Sequence, residues 1–363
     1  MKVALLCDSP DEKWPSMDLV GQMHSAELSA LGVSHQAIAP PIHRRTSSSA
    51  LDRLIFRFRD YPRLIHGLKF DVFHIIDHSY SQLLHALPPS RTVVTCHDID
   101  TFRSVLEPQR DPRGAAFRLM TKRILSGFRQ AAHVACDSIA TYDEIRKFDL
   151  IPAAHLSVVP LGVHPACSPD PDEAADSEAG RLLNHFSGPA LLHVGSTIPR
   201  KRIDLLLRVF ARVRAGGNPE LRLIRVGGPL TAPQRELARE LGVESLILEL
   251  PFLDRKILAA VYRRATLVLQ TSDAEGFGLP VAEAMACGTP VVATDLSVLR
   301  EVGGDAAIYC PPGDEATWSA EVNRLLEMPL DTLRVFSIRN ASHFCWLTYT
   351  KTMMDVYNSL LNL

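Results

Sequence analysis

Short apolar runs without polar alternation recur along this chain, each followed by a longer stretch of helical pattern. The series then starts again after an acidic interruption. That double alternation constrains the fold more than any other feature. A strand that alternates apolar and polar residues has one wet face. A continuously apolar strand is buried on both faces, as in a parallel sheet covered by helices. In the first half the expected strands are residues 3–7, 33–38, 72–76, 92–96, 134–137 and 156–159, with helices over 17–31, 114–131 and 139–148. In the second half they are 190–194, 221–226, 246–250, 266–269, 290–293 and 306–310, with helices over 203–214, 232–241, 256–264 and 281–287. Residues 344–361 are also helical in pattern.

Between the two series lies SPDPDEAADSEAG, residues 168–180, which is acidic and poor in large apolar side chains. It reads as a solvated connection. The pattern therefore predicts an α/β protein of two doubly wound Rossmann-like domains. Their boundaries are set at 1–170 and 188–343, with 171–187 as linker and 344–363 returning to complete the first domain. Ligands of such folds sit at the carboxyl ends of the strands, so two facing domains would bind across a cleft. A length of 363 residues agrees with two domains, and 46% apolar with 22% charged residues excludes a disordered chain.

The net charge of −2 supplies no global field for nucleic acid, and none is expected as a partner. Charge is uneven, however. Residues 43–69 and 103–129 each hold seven basic and two acidic side chains. Solvated helix faces explain such stretches; a surface for an anionic acceptor or for anionic lipid head groups is the sharper reading. The opening MKVALLC has an apolar run shorter than a secretory core, and seven scattered cysteines form no C-x-x-C pair. A cytoplasmic location, with peripheral contact at the inner membrane face, is expected. His74 and His78 have i, i+4 spacing, but 72–76 reads as a strand, so no metal site is expected there.

The segment richest in chemistry is EGFGLPVAEAMACG, residues 275–288. It follows an apolar strand and a polar step, Thr271-Ser272-Asp273. Gly276 and Gly278 let the backbone approach a ligand, Pro280 suits a first helical turn, and Gly288 suits the residue after a helix end. A strand, a glycine loop and a helix N-terminus together bind phosphate through free N–H groups and the helix dipole. Glu275 and Glu283 bracket this loop. A carboxylate repels phosphate but accepts paired hydroxyls, so the two fit a sugar and a ribose diol. The ligand this predicts is a sugar joined to a nucleoside diphosphate. The second segment, HVGSTIPRKRI at 193–203, places Gly195 in a turn and Arg200 and Lys201 just ahead of a helix. Those cations would neutralise the diphosphate and stabilise it as a leaving group.

These strings, with VGSTIPRKRIDLLLRVF and GTPVVATDLSVLREVGGDAAIYCPPGD, resemble glycosyltransferase family 4, the group 1 glycosyltransferases. VVPLGVHPA and the tail FCWLTYTKTMMDVY extend the resemblance over most of the chain. It implies a GT-B fold and a retaining, nucleotide-sugar-dependent, metal-independent transfer without a cofactor, with a mannosyltransferase-like character. It also implies a surface polysaccharide or glycoconjugate setting, with a glycan, lipid-linked or small-molecule acceptor. Carried over by position, Glu275 lies near the donor sugar and Glu283 on the ribose. The amides of Gly276, Phe277, Gly278 and Leu279 meet sugar and phosphate, Lys201 meets the diphosphate, and His97 in VVTCHDID faces the sugar. Two positions depart from the family pattern. Ser196 follows Gly195 where many relatives have Arg, a charge that Arg200 is expected to replace. The loop DSPDEKWPSM after the first strand lacks the usual glycine pair. An epimerase or hydrolase of sugar nucleotides on the same fold, and a non-catalytic nucleotide-sugar-binding protein, remain as alternatives. No G-x-G-x-x-G follows residues 3–7, which disfavours a dehydrogenase.

Overall fold

A computed structural model describes residues 1–361 except 185 and 187. Chain contacts divide it into two compact units. One is Met1–Gly162 together with the residues from Cys345 onward, and the other is Val163–Phe344.

The first unit contains six parallel strands: β1 (Lys2–Leu6), β2 (Ser34–Ile38), β3 (Val72–Ile75), β4 (Thr92–Cys96), β5 (His133–Cys136) and β6 (Leu156–Val158). Their order is β2-β1-β3-β4-β5-β6. Strands β3 and β4 are buried along their whole length, as continuous apolar runs require. Phe73, Ile75, Val94, Phe102 and Phe128 form the centre of one apolar core. The second unit contains β7 (Ala190–Val194), β8 (Arg222–Val226), β9 (Ile247–Leu250), β10 (Leu267–Gln270), β11 (Val291–Thr294) and β12 (Ala307–Cys310). Here the order is β12-β11-β10-β7-β8-β9. Its core gathers Leu191, Leu206, Phe210, Leu269 and Trp318. Each such side chain contributes about 1.5–3 kcal/mol by leaving water.

Each sheet has one place where the strand order reverses direction. In the first it lies between β1 and β3, and in the second between β7 and β10. Chains leaving adjacent strands there turn to opposite faces, which opens a crevice at the carboxyl edge.

The C-terminal helix Trp346–Leu361 belongs to the first unit and is tied to it by a buried polar chain. His24 Nε2 meets the Tyr357 hydroxyl at 2.7 Å, and the same hydroxyl meets His74 Nδ1 at 2.7 Å. His74 Nε2 reaches Thr95 Oγ1 at 2.7 Å. Both nitrogens of His74 thus serve this network, and burial holds its pKa well below the ordinary value.

The stretch expected as a linker is corrected. Residues Glu173–Leu182 form a helix capped by Asp172, whose Oδ1 accepts from the Ala175 amide at 3.1 Å. Ala175 and Ala179 are buried, and Asp176 pairs with Arg263 at 3.0 Å. Two alanines four residues apart make a helical stripe too small to stand out among acidic neighbours. Positions 185 and 187 of that expected linker, and 362–363 of the expected last helix, lie outside the described residues. Helices Glu315–Leu326 and Asp331–Ala341, which the strand–helix alternation did not reveal, complete the second unit.

Candidate functional site

The crevice of the second sheet is built by the segments that leave β7 and β10. After β7 the chain passes Gly195 and Ser196, makes the turn Pro199–Lys201 and enters helix Ile203–Ala215. After β10 it passes Thr271–Asp273, Glu275 and Gly276 and enters helix Leu279–Ala286. Backbone bonds lock the two segments together. The Asp273 amide donates to the Arg200 carbonyl at 2.8 Å, and the Thr271 hydroxyl donates to the Lys201 carbonyl at 3.0 Å.

Side chains then meet at the centre. Lys201 Nζ donates to Glu275 Oε1 at 2.6 Å, and Arg200 donates to Glu275 Oε2 at 3.2 Å and to the Ala274 carbonyl at 2.7 Å. Lys201 and Glu275 side chains are only 9% and 6% exposed. Burial alone would raise the Glu275 pKa, but the Lys201 and Arg200 charges outweigh it and hold it at about 2. Glu275 is therefore a carboxylate at all ordinary pH values. Lys201, expected to meet phosphate, is paired with Glu275 here. An anion entering the site has to share or take over that ammonium.

The glycine loop folds as its residues require. Gly278 caps the helix with φ of 100°, a left-handed conformation that disfavours any Cβ, and an added Cβ would lie 2.7 Å from Leu299. Pro280 occupies the first turn, and Gly288 follows the helix at φ of 74°. Of the first three helical residues, Pro280 has no N–H and Val281 donates to the Gly278 carbonyl at 2.9 Å, so the Leu279 N–H is the one left without a partner inside the helix. Phe277 is buried edge-on against Phe344, with ring centroids 5.5 Å apart. Leu279 is the first residue of the helix.

Glu283 lies in the second turn of that helix and is 3% exposed. Its Oε2 accepts from the Tyr262 hydroxyl at 3.1 Å and its Oε1 from Arg255 at 3.2 Å. Burial dominates and raises its pKa, with Arg255 and Tyr262 opposing. The structure thus brings Arg200, Lys201 and Glu275 together and gives Glu283 its own pair of donors. The motif did not reveal Gln270, whose amide bonds both Glu275 and Ser272. Nor did it reveal Arg255 and Tyr262. A signal existed, since positions 255 and 262 are seven apart on a helix and share a face.

His97, which the resemblance places facing the donor sugar, has well-defined partners within the first unit. It lies in the first unit after β4, with Nδ1 donating to Asp137 Oδ2 at 2.5 Å and Nε2 donating to the Ile76 carbonyl at 2.8 Å. Burial opposes the charge, but Asp137 and Asp77 outweigh it and raise its pKa to about 10. Both ring nitrogens bond within the unit, and these bonds join the carboxyl ends of β3, β4 and β5. The crevice of the first unit instead presents Asp8, after β1, and Asp77, after β3, both 4% exposed. Burial and the neighbouring Asp77 push the Asp8 pKa well above its ordinary value. Among the described residues, no cluster of three or more His, Cys, Asp or Glu side chains is arranged to hold a metal ion.

Solved structures share this fold. Sucrose-phosphate synthase from Thermosynechococcus elongatus superposes with a TM-score of 0.79 at 20% identity, covering 100% of this chain and 99% of that one. Anabaena HepE, solved with UDP and glucose, gives 0.75 at 19% identity over 99% of this chain and 100% of its own. The fold is therefore GT-B. The family model described as "Glycosyl transferases group 1" matches residues 184–343, and "Glycosyltransferase Family 4" matches 3–166. The chain belongs to this family of glycosyltransferases. Among curated relatives, a D-inositol 3-phosphate glycosyltransferase of Acidothermus cellulolyticus is 32% identical over 57% of this chain and 48% of its own length. An MMP alpha-(1->4)-mannosyltransferase of Mycolicibacterium hassiacum is 29% identical over 69% of this chain and 58% of its own. The chain spans about half the length of the curated relatives it matches.

Proposed function

We propose that this protein is a retaining glycosyltransferase that moves a hexose from a nucleoside-diphosphate sugar to a glycan, lipid-linked or small-molecule acceptor. The observation that carries the reading is the buried ionised Glu275 held by Lys201 and Arg200 beside the Gly278-capped helix. As the glycosidic bond breaks, negative charge grows on the diphosphate and positive charge on the sugar. Lys201, Arg200 and the helix N-terminus stabilise the first, and the Glu275 carboxylate stabilises the second. Glu283 accepts the ribose hydroxyls by exchanging its bonds to Arg255 and Tyr262. The leaving phosphate takes the acceptor proton, so the reading requires neither a dedicated base nor a metal.

The setting is surface polysaccharide or glycoconjugate assembly at the inner membrane face. No helix among the described residues is long and apolar enough to cross a membrane. Support for peripheral contact comes from helix Ala115–Phe128, where Phe117 and Leu119 are 41% and 71% exposed. Arg118, Lys122 and Arg123 are exposed on the same helix and make no ion pair among the described residues. The test of the reaction is product analysis with a panel of nucleotide sugars and acceptors. Glu275→Ala should lower turnover, while Glu283→Ala should chiefly raise the donor KM. Full transfer activity in Glu275→Ala would refute the role given to that carboxylate.

A further inference from the structure

One buried charge in the second unit has no counter-ion. Arg225, in the interior of β8, is 0% exposed. Its neighbour in register on β7 is His193, also 0% exposed. Arg225 donates to His193 Nδ1 at 2.9 Å and to the Gly228 carbonyl at 3.3 Å, and its Nε has no partner. No carboxylate among the described residues pairs with it. The nearest in influence, Glu249, already accepts from the Leu230 amide and pairs with Arg235 at 2.8 Å. Since His193 Nδ1 accepts from Arg225, its proton resides on Nε2, a second buried donor without a partner.

The pair lies under the two glycine turns that end β7 and β8. A Cβ on Gly227 would lie 2.3 Å from the Gly195 carbonyl, so the turns touch and neither leaves space for a side chain between them. A Cβ on Gly195 would lie 3.5 Å from both His193 Cε1 and the Lys201 stem. Arg225, His193, Gly195 and Lys201 are thus consecutive neighbours. Burying a cation without an anion is costly, and a chain that needed only packing would use an apolar residue at this position. Lys201 and Arg200 are paired with Glu275, whereas Arg225 makes no ion pair among the described residues.

We propose that Arg225, with His193, is the charged floor of the donor site and a positioning residue for the diphosphate of a nucleoside-diphosphate sugar. This rests on the donor reading above. Its field acts from a fully buried position and is screened little, so it attracts the diphosphate without touching it. Its bonds fix the Gly228 carbonyl and the His193 ring beneath the turn that carries Lys201. The site should therefore discriminate between a nucleoside diphosphate and the bare nucleoside.

The test is calorimetric titration of the full-length protein with UDP, GDP, uridine and guanosine, on wild type, Arg225→Gln and Arg225→Lys. Arg225→Gln keeps polar bonding and removes the charge. It should weaken diphosphate binding about tenfold and leave nucleoside binding within about twofold. Arg225→Lys keeps the charge and should stay within about threefold of wild type for the diphosphate. Equal diphosphate affinity in wild type and Arg225→Gln overturns the proposal, as does an equal loss of nucleoside and diphosphate, which a merely structural role would give. If Arg225→Gln does not fold, Arg225→Lys decides alone, and a tenfold loss there overturns the proposal. Wild-type protein that binds neither UDP nor GDP overturns the donor reading as well. Wild-type binding with no effect at Arg225 overturns only this inference.

Discussion

The reversal points of the two sheets have the same architecture and opposite chemistry. In the second unit, the segments leaving β7 and β10 bring a lysine and a glutamate together, and each charge satisfies the other. In the first, the segments leaving β1 and β3 bring two aspartates together, and burial beside Asp77 pushes the Asp8 pKa up. One crevice is poised to exchange an internal ion pair for an anionic ligand. The other gathers two buried carboxylates. Topology places a site in each unit, but side-chain chemistry decides what the site accepts.

The largest expected effect falls on the ion pair. Lys201→Ala should lower transfer from a nucleotide sugar by about a hundredfold, read as initial rates at saturating acceptor. It also leaves the buried Glu275 with Arg200 and Gln270 as its remaining side-chain partners, so stability in chemical denaturation should fall as well. A Lys201→Ala enzyme with normal rate and stability would erase the contrast between the two crevices.

Next come two pH dependences of opposite sign. The Glu275 pKa lies below its unfolded value, at about 2. Its contribution to stability is therefore present above the unfolded pKa and lost as pH falls toward 2. Glu275→Gln should be less stable than wild type at pH 7, and the gap should narrow on acidification. The Asp8 pKa lies above its unfolded value, so the folded state favours the proton. That contribution is present below the unfolded pKa and is lost as pH rises. Asp8→Asn should thus gain on wild type as pH rises. Denaturation midpoints of both variants across pH 3–9 check the pair, and trends of the same sign would show that the crevices do not differ.

A smaller effect is expected at Arg200, which is 33% exposed and shares Glu275 with Lys201. Arg200→Ala should lower activity by about threefold to tenfold, since an exposed cation contributes less than a buried one. Unchanged activity would remove Arg200 as the replacement for the charge that Ser196 lacks. Smallest is the membrane surface of the first unit. Arg123→Ala should weaken co-sedimentation with anionic vesicles by about fivefold, the effect of roughly 1 kcal/mol per basic residue. Binding to neutral vesicles should be low for both proteins.

Much of the second crevice was legible because its residues adjoin in sequence. The glycine loop, Pro280, Glu275 and Glu283 stand within one short string, and Arg200 and Lys201 stand directly after a strand. The parallel sheets were legible because strands buried on both faces are apolar throughout. The partners of the motif were less visible. Arg255 and Tyr262 reach Glu283 from another helix, and Gln270 ends an apolar strand as an ordinary polar residue. His97 was marked only by the resemblance; its partners, Asp137 and the Ile76 carbonyl, come from other strands and lie far away in sequence. Helix Glu173–Leu182 was missed because alanine side chains bury well without marking an apolar face.

The central claim is that the carboxyl edge around Lys201 and Glu275 holds a nucleoside-diphosphate sugar. Thermal unfolding of wild type and Lys201→Ala, with and without a panel of UDP-, GDP- and ADP-sugars, tests it most directly. A ligand at a hundred times its Kd adds about 2.7 kcal/mol to the folded state, which a melting curve resolves. At least one nucleotide sugar should raise the wild-type Tm, and Lys201→Ala should lose most of that rise. The claim is contradicted if no nucleotide sugar shifts the wild type, or if Lys201→Ala shifts as far.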